Sequence, residues 1–464
     1  MNLRKYIIVA VSAIVMVALC CCGSPTPVDP DNKGEDTTTQ VVPADLEPFK
    51  LSVPVTDNWV FSGKPAITIH VVNPNPVAVK AGAKLQITTD KRKAVATIID
   101  SVEIAANAEQ DVVITTEDNL APGFYRATCS VNGKVAHSTF VFGIDPFDIV
   151  SEPDMQPDFD EFWQAAKDQL ASIDMNATLT EITTKSSATR KVYLVKMQSV
   201  PDGLTGEPVV IRGYYCEPQD GLKHPVILHF YGYDTAGSKA KCECPSGGSS
   251  SYAEFYLSHR GQYLNNRPAS TQNPGVDEDC INIYNSDWFA YNFGDKDSYY
   301  YRGAFMDCLQ AVRFMATRQT SDMTKLFAEG SSQGGALSYA TAALSDYPLT
   351  AIAANVAFLG DYADAIDIGG LAIEISKRCK GSMTTEQMLT FLSYFDTKNL
   401  ATRISCAVMA SSGLQDDVCP PRTNVVPFNN LKTPQEAKKY VFGPEMKHDY
   451  PKGWNPMNFF RDYL

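Results

Sequence analysis

The sequence lacks the features that would indicate a nucleic-acid-binding or metal-dependent protein. Its 53 acidic residues outnumber its 40 basic ones, which gives a net charge of −13, and no stretch contains five consecutive basic residues. Because contacts to a phosphate backbone require clustered Lys and Arg side chains, we expect no nucleic-acid partner. No cysteines and histidines have the spacing of a zinc site, and we expect neither a metal nor an organic cofactor.

Long apolar runs are also scarce. The only clear one, Ile7–Leu19, has 13 residues, whereas a membrane-spanning helix needs about 20. Two basic residues precede this run, which is the pattern of a secretory signal. A cysteine triplet follows at once, and the whole segment resembles a bacterial lipoprotein signal. Lipidation is expected at Cys22, with Cys20 and Cys21 as alternatives.

Length and composition predict a multidomain globular protein. The chain has 464 residues, of which 44 % are hydrophobic and 20 % charged, and this size predicts two to four domains. We predict a signal peptide over 1–21, a flexible tether over 22–45, an immunoglobulin-like β-sandwich over 46–145 and an α/β domain over 146–464. The tether contains almost nothing apolar and cannot bury a core. The lipid would anchor the protein to the cell envelope of a Gram-negative bacterium, in the periplasm or at the outer-membrane surface.

Residues 46–145 have the period-two pattern of half-buried strands. Ile67, Ile69 and Val71 alternate with polar residues, as expected for strands with one face in a core. Asn132-Gly133 separates two such runs and predicts a tight hairpin, because both central residues of that turn need positive φ. Several short strands with turn residues between them predict a small all-β sandwich.

After residue 146, strand-like and helical patterns alternate. Apolar residues recur at helical spacing from Phe159 to Leu170, and apolar runs at Val226–Phe230, Thr350–Phe358 and Ile404–Ala410 are typical of strands. Strands that alternate with helices predict a mostly parallel sheet with helices on both faces.

The segment Gly330-Ser331-Ser332-Gln333-Gly334 matches Gly-x-Ser-x-Gly, with a strand pattern before it and a helical pattern after it. This context indicates a nucleophile elbow that presents Ser332 at the top of the sheet. A serine hydroxyl needs a base to accept its proton. In α/β-hydrolases that base is a histidine later in the chain, and His448 is the one histidine that follows Ser332.

The acid should lie between the nucleophile and the base, in a loop after a strand. Asp416 and Asp417 follow the Ile404–Ala410 strand, and we favour Asp416 as the residue that orients the imidazole. The oxyanion hole needs two backbone N–H donors. The first is expected from Gln333 and the second from the loop Tyr231-Gly232-Tyr233.

Six motifs then match a known family in order along the chain. They are Arg260-Gly261-Gln262, Tyr299-Tyr300-Tyr301-Arg302-Gly303, the elbow Gly330–Gly335, Gly413-Leu414-Gln415-Asp416, Pro420-Pro421 and His448-Asp449. Over residues 153–464 the chain resembles the acetylxylan esterase and cephalosporin-C deacetylase family, carbohydrate esterase family seven. In place of this family's usual His-Gly-Tyr and His-Glu, the sequence has Tyr231-Gly232-Tyr233 and His448-Asp449.

The resemblance implies an α/β-hydrolase fold and a serine esterase that removes acetyl groups from xylan or xylo-oligosaccharides. It implies Ser332 as nucleophile, Asp416 as acid and His448 as base, with the backbone N–H groups of Tyr233 and Gln333 in the oxyanion hole. Two alternatives are a peptidase of the prolyl-oligopeptidase kind and a non-catalytic, glycan-binding surface lipoprotein. The resemblance also allows an oligomer. Two residues of the motifs, Arg260 and Arg302, could reach the site or form buried ion pairs.

Overall fold

The N-terminal region with the period-two pattern folds into eight strands in the computed structural model of the protein. They make a three-stranded sheet, ordered β1-β3-β6, and a five-stranded sheet, ordered β2-β8-β7-β4-β5. Ile67, Ile69 and Val71 are buried, while their neighbours are partly exposed, as predicted. The strands are β1 Lys50–Ser52, β2 Val60–Phe61, β3 Ala66–Val72, β4 Val79–Thr89, β5 Ala94–Ile104, β6 Glu109–Thr115, β7 Gly123–Val131 and β8 Lys134–Ile144.

The hairpin between β7 and β8 confirms the turn prediction. Asn132 and Gly133 have φ values of 46° and 77°, the combination that a two-residue primed turn requires. The large apolar residues of both sheets share one core, in which Trp59 packs on Phe140 with ring centroids 4.4 Å apart. We call these two sheets the N-terminal β-sandwich.

The structure describes residues 46–233, 242, 245, 251–262, 264, 290–379 and 382–464. The predicted signal peptide 1–21, tether 22–45 and lipidation site Cys22 lie outside these residues. No helix within the described ranges is long and apolar enough to cross a membrane. Residues 47–464 belong to one compact unit, and the predicted boundary between 145 and 146 stays a prediction.

A nine-stranded sheet follows, ordered β17-β16-β15-β14-β12-β13-β11-β10-β9. Neighbouring strands from β17 to β13 are parallel, and the remaining three at the other edge pair antiparallel. The strands are β9 Thr178–Glu181, β10 Arg190–Ser199, β11 Val209–Pro218, β12 His224–Phe230, β13 Ala253–Ser258, β14 Ser321–Ser331, β15 Ala351–Asn355, β16 Ala407–Gly413 and β17 Lys438–Gly443.

Helices cover both faces of this sheet, which confirms the predicted fold class. In β12, Val226 and Leu228 point into the larger core with α2 and α3, and Ile227 points to the opposite face against α9. The helices are α1 Phe159–Ala171, α2 Tyr300–Ala316, α3 Gln333–Leu344, α4 Tyr362–Ile368, α5 Leu371–Cys379, α6 Thr385–Leu392, α7 Thr397–Ala401, α8 Pro421–Asn429 and α9 Pro456–Arg461.

One strand prediction was wrong at its start. The apolar run Ile404–Ala410 was expected to be extended throughout, but β16 begins only at Ala407. The Ile404 N–H donates to the Ala401 carbonyl at 3.0 Å, so the first residues of the run complete the turn that leaves α7. Ile404 is buried there in the core. The run is apolar because it is buried, and burial does not distinguish a strand from a turn.

The Arg-Gly-Gln motif has a structural role at its arginine. Arg260 donates to both carboxylate oxygens of Asp307 at 2.8 and 2.9 Å, and both side chains are almost fully buried. A Cβ on Gly303 would lie 2.1 Å from the Arg260 guanidinium, which explains the glycine of the Tyr-Tyr-Tyr-Arg-Gly motif. Arg302 contacts Gln169 on α1 at 2.8 Å.

The β-sandwich packs directly against the α/β part of the chain. Leu414, Val425 and Val426, from the segment around Asp416 and from α8, belong to the same buried cluster as the sandwich core. Phe147, just after β8, lies within 6 Å of the rings of Phe428, Tyr440 and Phe442. The N-terminal β-sandwich therefore packs against α8, β17 and the segment just before Asp416.

Candidate active site

A sharp turn between β14 and α3 presents Ser332. The residue has φ 57° and ψ −120°, a conformation that costs a non-glycine residue about 1–3 kcal/mol and persists only when its surroundings enforce it. A Cβ on Gly330 would lie 2.4 Å from the Gly334 carbonyl oxygen, and one on Gly334 would lie 2.2 Å from the Phe230 carbonyl oxygen. Both glycines of the motif are therefore required by close backbone contacts.

The ends of neighbouring strands hold this turn in place. The Ser332 N–H donates to the Asn355 carbonyl at 2.9 Å, and the Ser332 carbonyl accepts from the Phe358 N–H at 3.0 Å. The Asn355 side chain donates to Ser331 Oγ at 2.8 Å and accepts from Ser411 Oγ at 2.5 Å. Three adjacent strands are thus joined at the point where the serine projects.

The structure brings Asp416 and His448 together, 32 residues apart in the chain. The distance from His448 Nδ1 to Asp416 Oδ2 is 2.7 Å, and Asp416 Oδ1 accepts from the N–H groups of Val418 and Cys419 at 2.8 Å each. An ionised carboxylate can only accept hydrogen bonds, so His448 Nδ1 donates and Nε2 is left to accept a proton. The other candidate acid, Asp417, is exposed.

Ser332 and His448 line one cavity of about 1230 Å³. The buried thiol of Cys419 is a neighbour of Ser332. Burial raises the pKa of this thiol well above its ordinary value, and the neighbouring Asp416 raises it further. Because the thiolate is the reactive form of cysteine, Cys419 stays a neutral neighbour of the serine. Sequence reasoning did not identify it.

The two predicted oxyanion-hole donors come from segments that are in contact. Gln333 is the first residue of α3, where N–H groups have no acceptor within the helix and favour negative charge. Tyr233 lines the cavity in the loop after β12. Gln262, from the Arg-Gly-Gln motif, donates to the Gly232 carbonyl at 3.3 Å and supports this loop.

The Gln333 side chain is held by two buried partners. Its Oε1 accepts from the Tyr301 hydroxyl at 2.8 Å, and its Nε2 lies 2.8 Å from His259 Nε2. Burial lowers the pKa of His259 to about 4, so this imidazole is neutral and Nε2 can accept the amide hydrogen. This assigns a structural role to the glutamine of the elbow and to the last tyrosine of Tyr-Tyr-Tyr-Arg-Gly.

A charged cluster forms another part of the cavity wall. His229 Nδ1 lies 2.8 Å from Glu329, and Nε2 lies 3.2 Å from Glu254, which also pairs with Arg190. Burial alone would lower the pKa of His229, but its hydrogen bonds to Glu254 and Glu329 raise the pKa to about 9. With both imidazole nitrogens protonated, the cluster holds two positive and two negative charges. The Tyr256 ring stacks on the His229 imidazole with centroids 4.1 Å apart. Sequence reasoning did not identify this cluster.

The arrangement can carry out acyl transfer with a serine as the nucleophile. It combines a projecting hydroxyl, an acid–base pair with the imidazole oriented by a carboxylate, and backbone donors at a helix N-terminus. Among the described residues, no group of three or more His, Cys, Asp or Glu side chains is arranged to hold a metal ion.

Comparisons with known proteins agree with this chemistry. The family described as acetyl xylan esterase (AXE1) matches residues 149–461. The acetyl esterase Axe7A of Xylanibacter ruminicola is 28 % identical over 316 residues, which cover 68 % of this chain and 69 % of that protein.

Two solved structures share the fold of about two thirds of the chain. The acetyl xylan esterase from Paenibacillus sp. R4 has a TM-score of 0.53 and 26 % identity, and covers 68 % of this chain and 98 % of its own. Acetyl xylan esterase 1 from Thermoanaerobacterium sp. JW/SL YS485 has a TM-score of 0.54 and 24 % identity, and covers 68 % and 97 %. The family match begins at residue 149, after the N-terminal β-sandwich.

The predicted roles of the site residues can be separated by mutation. We expect Ser332→Ala and His448→Ala each to lower kcat on an activated aryl acetate by about 10³-fold or more. Asp416→Asn should lower kcat strongly, because an amide favours the wrong imidazole tautomer. Asp417→Asn is the matched control and should stay near the wild-type rate, since this side chain is exposed. Near wild-type turnover in His448→Ala, or equal losses in the two Asp→Asn variants, would contradict the assignment.

Proposed function

This chain belongs to the acetyl xylan esterase family, and we propose that it removes acetyl groups from acetylated xylan or xylo-oligosaccharides through an acetyl-enzyme intermediate. Membership makes it a carboxylic ester hydrolase. The observation that carries the proposal is the 2.7 Å hydrogen bond between His448 and Asp416 at the cavity that also holds the strained Ser332 turn.

In the proposed first step, Ser332 Oγ attacks the carbonyl carbon of the acetyl ester. His448 Nε2 accepts the hydroxyl proton as the new C–O bond forms, and Asp416 stabilises the resulting imidazolium. The negative charge moves to the carbonyl oxygen, where the N–H groups of Gln333 and Tyr233 stabilise it. The bond to the sugar oxygen then breaks, and His448 returns its proton to that oxygen.

Water completes the proposed cycle. His448 accepts a proton from a water molecule as its oxygen attacks the acetyl carbonyl. The second tetrahedral intermediate collapses, the bond to Ser332 Oγ breaks, and the serine recovers its proton from His448. The products are acetate and the free hydroxyl of the sugar. Every proton is transferred through the same imidazole, whose orientation depends on its bond to Asp416.

The cavity supports a substrate with a large alcohol part. Its volume of about 1230 Å³ exceeds the roughly 300–1,000 Å³ of typical small-molecule sites, and an acetyl group fills a small fraction of it. Glu329 and His229 supply polar contacts on one wall, and Tyr450 and Trp454 supply aromatic surface. A charge-balanced polar wall beside aromatic rings suits the hydroxyl groups and apolar faces of a neutral sugar.

We also propose that the protein acts from a lipid anchor. Lipidation at Cys22 and a polar tether over 22–45 would hold the esterase at the cell envelope. The support for this proposal is the sequence pattern of the first 45 residues. An acetylated oligosaccharide or polysaccharide and the membrane would then be its partners.

The first prediction concerns the acyl group. We expect kcat/KM to fall at least about tenfold from acetate to butyrate esters, a loss of about 1.4 kcal/mol. The resemblance to the deacetylase family implies that, within the large cavity, the acyl group itself sits in a small pocket beside the Tyr231-Gly232-Tyr233 loop, which extra methylene groups would overpack. A chain-length series of aryl esters, run beside peptide substrates, measures this. Equal rates on acetate and octanoate would contradict the small pocket, and cleavage of peptides but not acetates would favour a peptidase.

The second prediction concerns the alcohol part. Glu329→Gln should lower kcat/KM on acetylated xylo-oligosaccharides about tenfold, the equivalent of one hydrogen bond to a charged group, with little effect on an aryl acetate. Glu181→Gln, which removes the charge of another ion-paired strand residue outside the cavity, is the matched control. An equal loss on both substrates would show that Glu329 supports the turn and does not contact the sugar.

The third prediction concerns the anchor. Cells supplied with a clickable fatty acid should incorporate the label into the wild-type protein, and a Cys22→Ala variant should lose it. The mature N-terminus, read by mass spectrometry, should be Cys22. An unlabelled protein whose N-terminus lies away from the triplet Cys20–Cys22 would contradict lipidation.

A further inference from the structure

One side-chain amide connects the N-terminal β-sandwich to the proposed acid–base pair. Gln415 directly precedes Asp416, and its Oε1 accepts from the Val141 N–H of β8 at 2.9 Å. Its Nε2 donates to the Val141 carbonyl at 3.0 Å and to the Pro444 carbonyl at 2.7 Å. Pro444 begins the loop that leads to His448. The amide therefore contacts the sandwich and that loop, and its backbone adjoins the acid.

The two bonds to Val141 replace a missing strand neighbour. Strand β8 pairs with β7 along one edge, while β2 covers the other edge only at Gly143 and Ile144. Val141 is buried beyond the end of β2, and buried backbone N–H and C=O groups need partners. A primary amide presents its carbonyl oxygen and one N–H side by side, so Gln415 satisfies both groups of Val141 at once and keeps its second N–H for Pro444.

Tight packing transmits the position of Gln415 to the site. Leu414 is fully buried in the core of the β-sandwich, and the Gln415 N–H donates to the Met446 carbonyl at 2.9 Å. A Cβ on Gly413 would lie 2.2 Å from the Lys447 carbonyl oxygen. The turn before Asp416 and the loop before His448 are thus in contact, and neither can move without displacing the other.

We propose that Gln415 is a positioning residue through which the β-sandwich keeps Asp416 and His448 aligned. The inference rests on the proposed function, because it assumes that these two residues act as the acid–base pair. It assigns to the sandwich a role in the reaction rather than in substrate binding. The matched family begins at residue 149, so this coupling depends on a part of the chain outside the family match.

The direct test replaces the amide in the full-length protein. Gln415→Met keeps the side-chain length and removes both hydrogen-bonding groups. We expect kcat on an aryl acetate to fall about tenfold to a hundredfold, as for a small displacement of catalytic groups, with KM within about twofold. An active-site phosphonate that labels Ser332 gives the fraction of folded, competent enzyme. That fraction should stay at the wild-type level, whereas a purely structural role would reduce it in proportion to kcat.

Lys91→Met is the matched control, because Lys91 also links the sandwich to the α/β part through its ion pair with Asp364. We expect it to retain the wild-type kcat within about twofold, since partly exposed ion pairs contribute little. An equal fall in kcat for Lys91→Met and Gln415→Met would overturn the proposal, because any damage to the interface would then suffice.

The part of this contact that lies in the β-sandwich is tested with Val141→Pro, which removes the N–H that donates to Gln415 Oε1. We expect it to lower kcat in the same way, and the double variant with Gln415→Met to be no slower than the slower single variant. A wild-type kcat in Gln415→Met overturns the proposal, and this result is sufficient even if Val141→Pro does not fold. A wild-type enzyme that neither hydrolyses acetate esters nor reacts with the phosphonate would contradict the proposed function instead.

Discussion

The absence of space around the Ser332 turn is the constraint on which the rest of the site depends. Two glycines allow backbone contacts that a single added carbon would close to 2.2–2.4 Å. These contacts press the start of α3 against the end of β12. The Gln333 N–H and the loop that carries Tyr233 therefore come to the same place. A strained serine of this kind costs about 1–3 kcal/mol, and the surrounding hydrogen bonds and packing must offset that cost.

The parallel sheet explains how distant residues meet at this turn. Strands β12, β14, β15 and β16 run in the same direction, so their carboxyl ends share one edge, where ligands bind in open α/β sheets. The loop that carries Tyr233 follows β12, Ser332 follows β14 and Asp416 follows β16. The loop after β17 brings His448 to the same edge. Residues that are far apart in the sequence therefore come together because the strands before them are neighbours in the sheet.

The elements with a local signal could be predicted from the sequence. The turn at Asn132-Gly133 needs two positive φ values, and the elbow needs small residues at fixed positions, so both leave a pattern within a few residues. His448 could be predicted as the base because it is the one histidine that follows Ser332 in the sequence. The choice of Asp416 over Asp417 followed from a motif, and in the structure Asp416 faces the imidazole while Asp417 is exposed. The start of β16 was wrong because an apolar run does not distinguish a buried turn from a strand.

The contacts that sequence reasoning missed connect residues far apart in the chain. The pairs Gln262–Gly232 and Gln415–Val141 lie 30 and 274 residues apart, and an isolated glutamine gives no sign of which backbone group it contacts. The His229 cluster is similar, because its residues come from four strands and look like ordinary polar positions one at a time. These missed groups share one property: each satisfies a buried backbone or charged group beside the site. Preorganisation of the catalytic groups depends on such supports, and in this protein they extend into the N-terminal β-sandwich.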